Sequence, residues 1–323
     1  MPLHRRLVLA ALALPAVARS QPGASWPERP IRVIAPDQPG SGNDVTARLF
    51  APLLEAALGQ PVVIENRPGA GGRIGVEAAF RAAPDGHTFL IGNAGSNGVN
   101  AALYRDLPYD LERDFVPVSL LVLGPNVLVI NPKFPARTVA ELIAHLKQHP
   151  GEVNFAITAP GASGHMITEL FRVATGTEFV QVPYRGAPDM GRAVATGEAQ
   201  VNFNNLVNIM PQVQSGEVLP IAVTTAEQSP LLPGVPTMVE SGLPGFESAA
   251  WNGLFAPKGT PASIVARMQA ELAKLRGNAT LADRIRLLGG ELIVSDGETL
   301  AARQREDIAR WKALVERADI RLN

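Results

Sequence analysis

The chain of 323 residues contains no cysteine. That absence removes disulfides, thiolate zinc sites, a cysteine nucleophile and the anchor cysteine of a lipoprotein. Excess charge of one sign is missing as well. Its 29 basic and 30 acidic residues leave a formal charge of −1, and no basic stripe carries interleaved aromatics, so no nucleic-acid partner is expected. The apolar run at residues 7–18 is too short to span a bilayer. Phosphate-loop signatures are lacking too. Gly40-Ser41-Gly42-Asn43-Asp44 holds no lysine and is neither a Walker A sequence nor a GxGxxG, and Ile74 stands where the third glycine of a motif starting at Gly69 belongs.

What is present is ordinary globular composition, 46% hydrophobic and 18% charged with a mean hydropathy of +0.09, in a chain long enough for two buried cores. Residues 1–20 read as an export signal. His4, Arg5 and Arg6 open it, the apolar run follows, and small residues around Ala16, Ala18 and Ser20 suit a signal peptidase. Cleavage removes three arginines and no acid, taking the charge to about −4. A soluble protein outside the cytoplasm is expected.

The most informative stretch is residues 31–50, IRVIAPDQPGSGNDVTARLF. A short β-branched run predicts a buried strand. A Pro/Gly loop leads from it into a helix that Asn43 or Asp44 caps. Such a junction presents unpaired backbone N–H groups, which suit an anion; without lysine, a carboxylate fits better than a phosphate. Similar loops recur after predicted strands at residues 88–91 and 153–157 and before the helix that runs through Ala195. Strand and helix alternate, so a parallel sheet with helices on both faces is expected. Residues 69–75 predict a tight turn with close helix packing. Thr138, with Glu141 three residues on, predicts a capping box. Residues 116–131 read as two β-rich runs parted by Gly124-Pro125. The C-terminal part, from Pro261, reads as amphipathic helices packed on the first α/β series.

A second α/β series therefore sits inside the first. Two α/β lobes joined by two crossing strands make a clamshell, with lobe 1 formed by residues 26–124 plus 253–323 and lobe 2 by residues 125–252. Strand ends of both lobes face a common cleft.

Taken in order, IRVIAPDQPGSGNDVTARL, VVIENRPGAGGRIGVEAAFRAAPDGHTFLIG, VPYRGAPDMGRAVATGEAQVNFNNL, LPGVPTMVESGLPGFE and WNGLFAPKGTP resemble the Bug-type solute receptors, the extracytoplasmic binding proteins of tripartite tricarboxylate transporters. The resemblance implies a type II periplasmic-binding-protein fold, a Venus flytrap that closes over a small organic acid. It implies a periplasmic location, integral-membrane permease subunits as partners, and no cofactor, metal or catalytic activity. A monomer is expected. Carried over residue by residue, it implies ligand contacts in lobe 1 from Gly40, Ser41, Gly42, Asn43, Asp44, Asn93, Ala94, Gly95 and Ser96. In lobe 2 it implies Thr158, Gly161, Ala162, Ser163, His165, Tyr184, Arg185, Gly186, Ala187 and Asn204. Asp37 stands where the family usually has an aromatic, and Asn204-Asn205 where Asp-Asn is common. Asp37 is left with two roles, partner of a ligand ammonium or solvent-facing side chain; Arg185 likewise meets the ligand or points out of the cleft.

Two other readings remain from the residues alone. Ser163 with His165 suggests an exported serine hydrolase, although no GxSxG elbow is present and residues two apart at a helix start do not face each other. A sensory protein of the same fold, binding an amino acid or cationic ligand, is the other. His145 and His149 lack the intervening HExxH pattern and read as a solvated helix face.

Overall fold

A computed structural model describes residues 26–104, 106–158, 163–318 and 320. The expected signal peptide and the two loop residues Gly161 and Ala162 lie outside the described residues.

In chain order the elements are β1 (Ile31–Ala35), α1 (Gly42–Leu58), β2 (Val62–Asn66), α2 (Arg73–Phe80), β3 (Thr88–Asn93), α3 (Asn100–Leu103), β4 (Phe115–Ile130), α4 (Val139–Gln148), β5 (Asn154–Ile157) and α5 (Ser163–Thr175). They continue with β6 (Val180–Pro183), α6 (Ala187–Thr196), β7 (Val201–Asn205), α7 (Leu206–Gln214), β8 (Leu219–Val223), β9 (Ala249–Pro257), α8 (Ala262–Ala273), α9 (Ala279–Leu287), β10 (Glu291–Leu292) and α10 (Gly297–Ala318). The hydrogen-bonded strand order is β2-β1-β3-β9-β4-β7-β5-β6, with β8 and β10 also paired to β4. Pairing is parallel within β2-β1-β3 and within β7-β5-β6, and antiparallel along β9 and β4. The two parallel series are the two lobes.

Both faces of each series are buried, which explains the near-continuous apolar strands. In lobe 1, Ile31, Val33 and Phe89 pack against Phe50 and Leu54 of α1 and Ile264 and Met268 of α8. The alternate residues Ile34 and Leu90 pack with Val76 and Ala79 of α2. In lobe 2, Leu128, Phe155 and Phe203 face Leu142 of α4 and Phe171 of α5, while Val127, Val129 and Ala156 face Met190 of α6 and Ile209 of α7.

Several expectations change at this level. The two β runs around Gly124-Pro125 form one 16-residue strand, β4. Its residues up to Pro125 pair with β9; from Asn126 the partner is β7. Pro125 donates no hydrogen bond, and it falls where β4 exchanges partners, so the ladder survives it. Helix α1 begins at Gly42 with Ser41 in the capping position and no side-chain cap, so Asn43 and Asp44 lie inside the first turn. Helix α7 was not foreseen, because Pro211 stands inside it; Asn205 caps it, its Oδ1 accepting from the Val207 N–H at 3.0 Å. The capping contact at Thr138 forms as expected, with Oγ1 accepting from the Glu141 N–H at 3.2 Å. Helices α8 and α9 pack on lobe 1, but α10 does not stay there. Its Trp311 and Leu314 join the lobe 2 core beside Phe134, Leu142 and Phe171, so α10 straddles the two lobes.

Candidate functional site

The carboxyl ends of β1, β3, β5, β6 and β7 meet around a cavity of about 340 Å³, with Ala250, Trp251 and Asn252 of β9 also on its wall. Trp251 is fixed from behind, its Nε1–H donating to Oδ2 of the buried Asp307 of α10 at 2.5 Å.

On the lobe 1 side the polar groups hold one another. Asp37, half-buried on the cavity wall, accepts from Asn43 Nδ2 at 2.7 Å and from Asn93 Nδ2 at 3.1 Å, both at Oδ2. Asn43 in turn accepts from Asn252 Nδ2 at 2.6 Å, and Thr46 Oγ1 donates to Asn252 Oδ1. Asn93 Oδ1 accepts from the Ser96 N–H at 2.9 Å, and Ser96 Oγ returns a bond from the Asn93 N–H at 3.1 Å. Burial pushes the Asp37 carboxyl up to about 6, the two asparagine bonds oppose this, and the Asp44 charge adds to it. Asp44 is itself turned away, accepting from the Gly40 N–H at 2.9 Å and pairing with Arg48 at 2.8 Å.

The lobe 2 side is different. Thr158 Oγ1, Asn204 Nδ2 and Asn208 Oδ1 are buried atoms of wall residues without a hydrogen-bond partner among the described residues. Helix α6 begins at the wall with Gly186 in the capping position and no side-chain cap. Helix α5 begins there at Ser163. Tyr184 lines the cavity and donates its hydroxyl to Glu198 at 2.9 Å; burial, then that bond and the Glu198 charge, push its pKa up to about 12.

The lobes are closed on each other. A Cβ built on Gly95 of lobe 1 would stand 2.9 Å from the backbone nitrogen of Ser163 in lobe 2, and one on Gly186 would meet the Gln38 side chain at 3.3 Å. Only residues without a side chain allow this approach.

Of the residues expected at the site, Asp37, Ser41, Gly42, Asn93, Ala94, Gly95, Ser96, Thr158, Ser163, Tyr184, Arg185, Gly186, Ala187 and Asn204 line the cavity. Gly40, Asn43, Asp44 and His165 do not. Asn43 and Asp44 point inward as struts because their polar ends are taken by Asp37, Gly40 and Arg48. His165 is buried behind the wall, where desolvation lowers its affinity for a proton against the pull of Glu169. Arg185 lines the cavity; its side chain is 86% exposed and its guanidinium lies 3.6 Å from Asp189. The sequence did not point to Gly69, Gly71, Gly72, Asn126, Asn205 or Asn208 at the wall. The glycine turn was expected to pack tightly, and it does: a Cβ on Gly75 would lie 2.6 Å from Pro36 Cα. That packing is what carries the glycines to the wall. Asn126 and Asn252 had a signal, polar residues in otherwise apolar strands.

No group of three or more His, Cys, Asp or Glu side chains among the described residues is placed to hold a metal. His145 and His149 stack at 4.5 Å on the surface of α4, as a solvated face would.

Comparison with known proteins follows the same lines. Residues 46–320 match the sequence family described as "Tripartite tricarboxylate transporter family receptor". Protein BugT of Bordetella pertussis is 33% identical over 312 residues, covering 96% of each chain. Two solved structures from Rhodopseudomonas palustris superpose along nearly the full fold. Rpa4515, solved with adipate, gives a TM-score of 0.88 at 36% identity, covering 92% of this chain and 99% of that one. MatC, solved with malate, gives 0.86 at 33%, covering 90% and 100%. The two-lobed periplasmic-binding-protein fold is common to all three.

Proposed function

From the premise that this chain belongs to the tripartite tricarboxylate transporter receptor family, we propose that it captures a small organic carboxylate in the interlobe cavity and hands it to integral-membrane permease subunits. One observation carries the ligand class. Helices α1 and α6 reach the wall from opposite lobes with no side-chain cap, and α5 begins there too. Unpaired N–H groups at helix N-termini favour an anion, each end by about 0.3–1 kcal/mol and more when partly buried. Among the described wall residues Arg185 is the one basic side chain, and it is exposed and lies 3.6 Å from Asp189, so the backbone supplies most of the donors for the acid. The adipate and malate of the two similar structures support a ligand of this size and chemistry.

In this reading Ser41, Gly42, Gly95 and Ser96 contact the ligand from lobe 1, and Thr158, Ser163, Gly186, Ala187 and Asn204 from lobe 2. The hinge lies where β4 exchanges β9 for β7, at Pro125 and Asn126, next to the lobe boundary at residues 124/125. The protein works as a monomer in the periplasm after loss of residues 1–20, and it does no chemistry on its ligand. A hydrolase would need His165 beside Ser163 on the wall, and His165 lies behind it.

A thermal-shift screen against organic acids, amino acids and neutral compounds tests this. A ligand at a hundred times its Kd adds about 2.7 kcal/mol of stability. Stabilisation by a few small carboxylates is expected; stabilisation by neutral compounds alone would contradict the reading.

A further inference from the structure

Resting on the carboxylate reading, we infer that the ligand also carries a protonated amine, seated against Oδ1 of Asp37. The direction of the hydrogen bonds around Asp37 carries this. The Ser96 N–H can only donate, so Asn93 must meet it with Oδ1 and turn Nδ2 to Asp37. Asn43 Nδ2 reaches the same oxygen, Oδ2. The surroundings are thus built to hold an acceptor at Oδ2, and they leave Oδ1 without a partner among the described residues, on a residue of the cavity wall.

No cation of the protein answers this charge. Among the described residues Asp37 makes no ion pair; the nearby Arg48 is committed to Asp44, and Arg185 to Asp189. The lobe 2 side offers Asn204 Nδ2 as an unpaired donor, together with the uncapped start of α6. Donors for a carboxylate therefore stand at the helix starts, and beside them on the lobe 1 wall stands a carboxylate oxygen with no donor among the described residues. A plain diacid would bring like charge against Asp37. An amino acid places ammonium against carboxylate there and its own carboxylate on the helix ends, an arrangement of paired charges in a partly desolvated site.

Calorimetric titrations at pH 8 with length-matched pairs decide it: succinate with aspartate, glutarate with glutamate, propionate with β-alanine. In at least one pair the amine-bearing acid should bind about tenfold tighter or better. The Asp37→Asn variant keeps an acceptor for Asn43 and Asn93. It should weaken that amine-bearing acid at least about tenfold while leaving the plain acid unchanged or tighter. A melting curve verifies that the variant is folded, and Asp37→Ser serves as the second variant if it is not. Equal or tighter binding of the plain acid in every pair, or an equal loss for both members in the variant, overturns the inference and leaves the carboxylate reading standing. Binding of no acid of either kind overturns both.

Discussion

The two sides of the cavity are built on opposite principles. On the lobe 1 side, Asp37, Asn43, Asn93 and Ser96, with Asn252 of the crossing strand β9, bond to one another before any ligand arrives. On lobe 2, Thr158, Asn204 and Asn208 keep buried polar atoms without partners among the described residues. A satisfied buried group rigidifies, whereas an unsatisfied one costs about 1–3 kcal/mol until something bonds to it. Lobe 1 is therefore a preformed half-site that sets geometry, and lobe 2 is the half that gains most from closing over a ligand.

Breaking the preformed half should cost the most stability. Asn43→Ala removes the donor to Asp37 and the acceptor of Asn252 in a fully buried position. A loss of about 3 kcal/mol is expected by urea denaturation of the ligand-free protein. Blocking the contact between the halves should act on binding instead. Gly95→Ala sets a methyl group 2.9 Å from the Ser163 nitrogen, and ligand affinity should fall by about tenfold or more, with stability changed by under about 1 kcal/mol. On lobe 2, Asn204→Ala deletes a donor with no partner among the described residues and a long, 3.3 Å acceptor contact to Asn208. Little stability should be lost, within about 1 kcal/mol, while affinity falls about tenfold. An Asn43→Ala protein of parental stability, or an Asn204→Ala protein that unfolded, would erase the contrast.

A further difference lies in pH. The Asp37 carboxyl is raised from 3.8 to about 6 by burial, so between about pH 4 and 6 the folded protein keeps a proton that the unfolded chain has lost. The contribution of Asp37 to stability must then fall as pH rises through that window. Asp37→Asn removes this component. Its stability relative to the parent should climb by about 2 kcal/mol between pH 4 and 7, followed by denaturation at each pH. A pH-independent difference would mean that the carboxyl titrates normally.

The same contrast explains what was legible in the sequence. Strand ends stood out because β-branched runs stop at Pro/Gly loops, as at Ala35 to Gly40, and those loops supplied most of the wall. Helix α7 was hidden by Pro211, whose ring suggests a break but is carried inside the helix. The reach of α10 into lobe 2 was hidden because an amphipathic pattern shows that a face is buried without showing against what. Asn43 and Asp44 looked like ligand groups, being polar residues in a ligand loop. Their inward direction depends on Asp37, Gly40 and Arg48, partners that only the fold brings together. Asn208 was missed for the converse reason: it sits in a helix whose spacing says nothing of the cavity.

The central claim, that backbone N–H groups at helix starts from both lobes hold a carboxylate, is tested most directly by amide hydrogen exchange with and without the best acid from the screen. Ligand-dependent protection is expected at the first turns of α1, α5 and α6 and at residues 95–96. Protection confined to other surfaces, with these four places unchanged at saturating ligand, would contradict it.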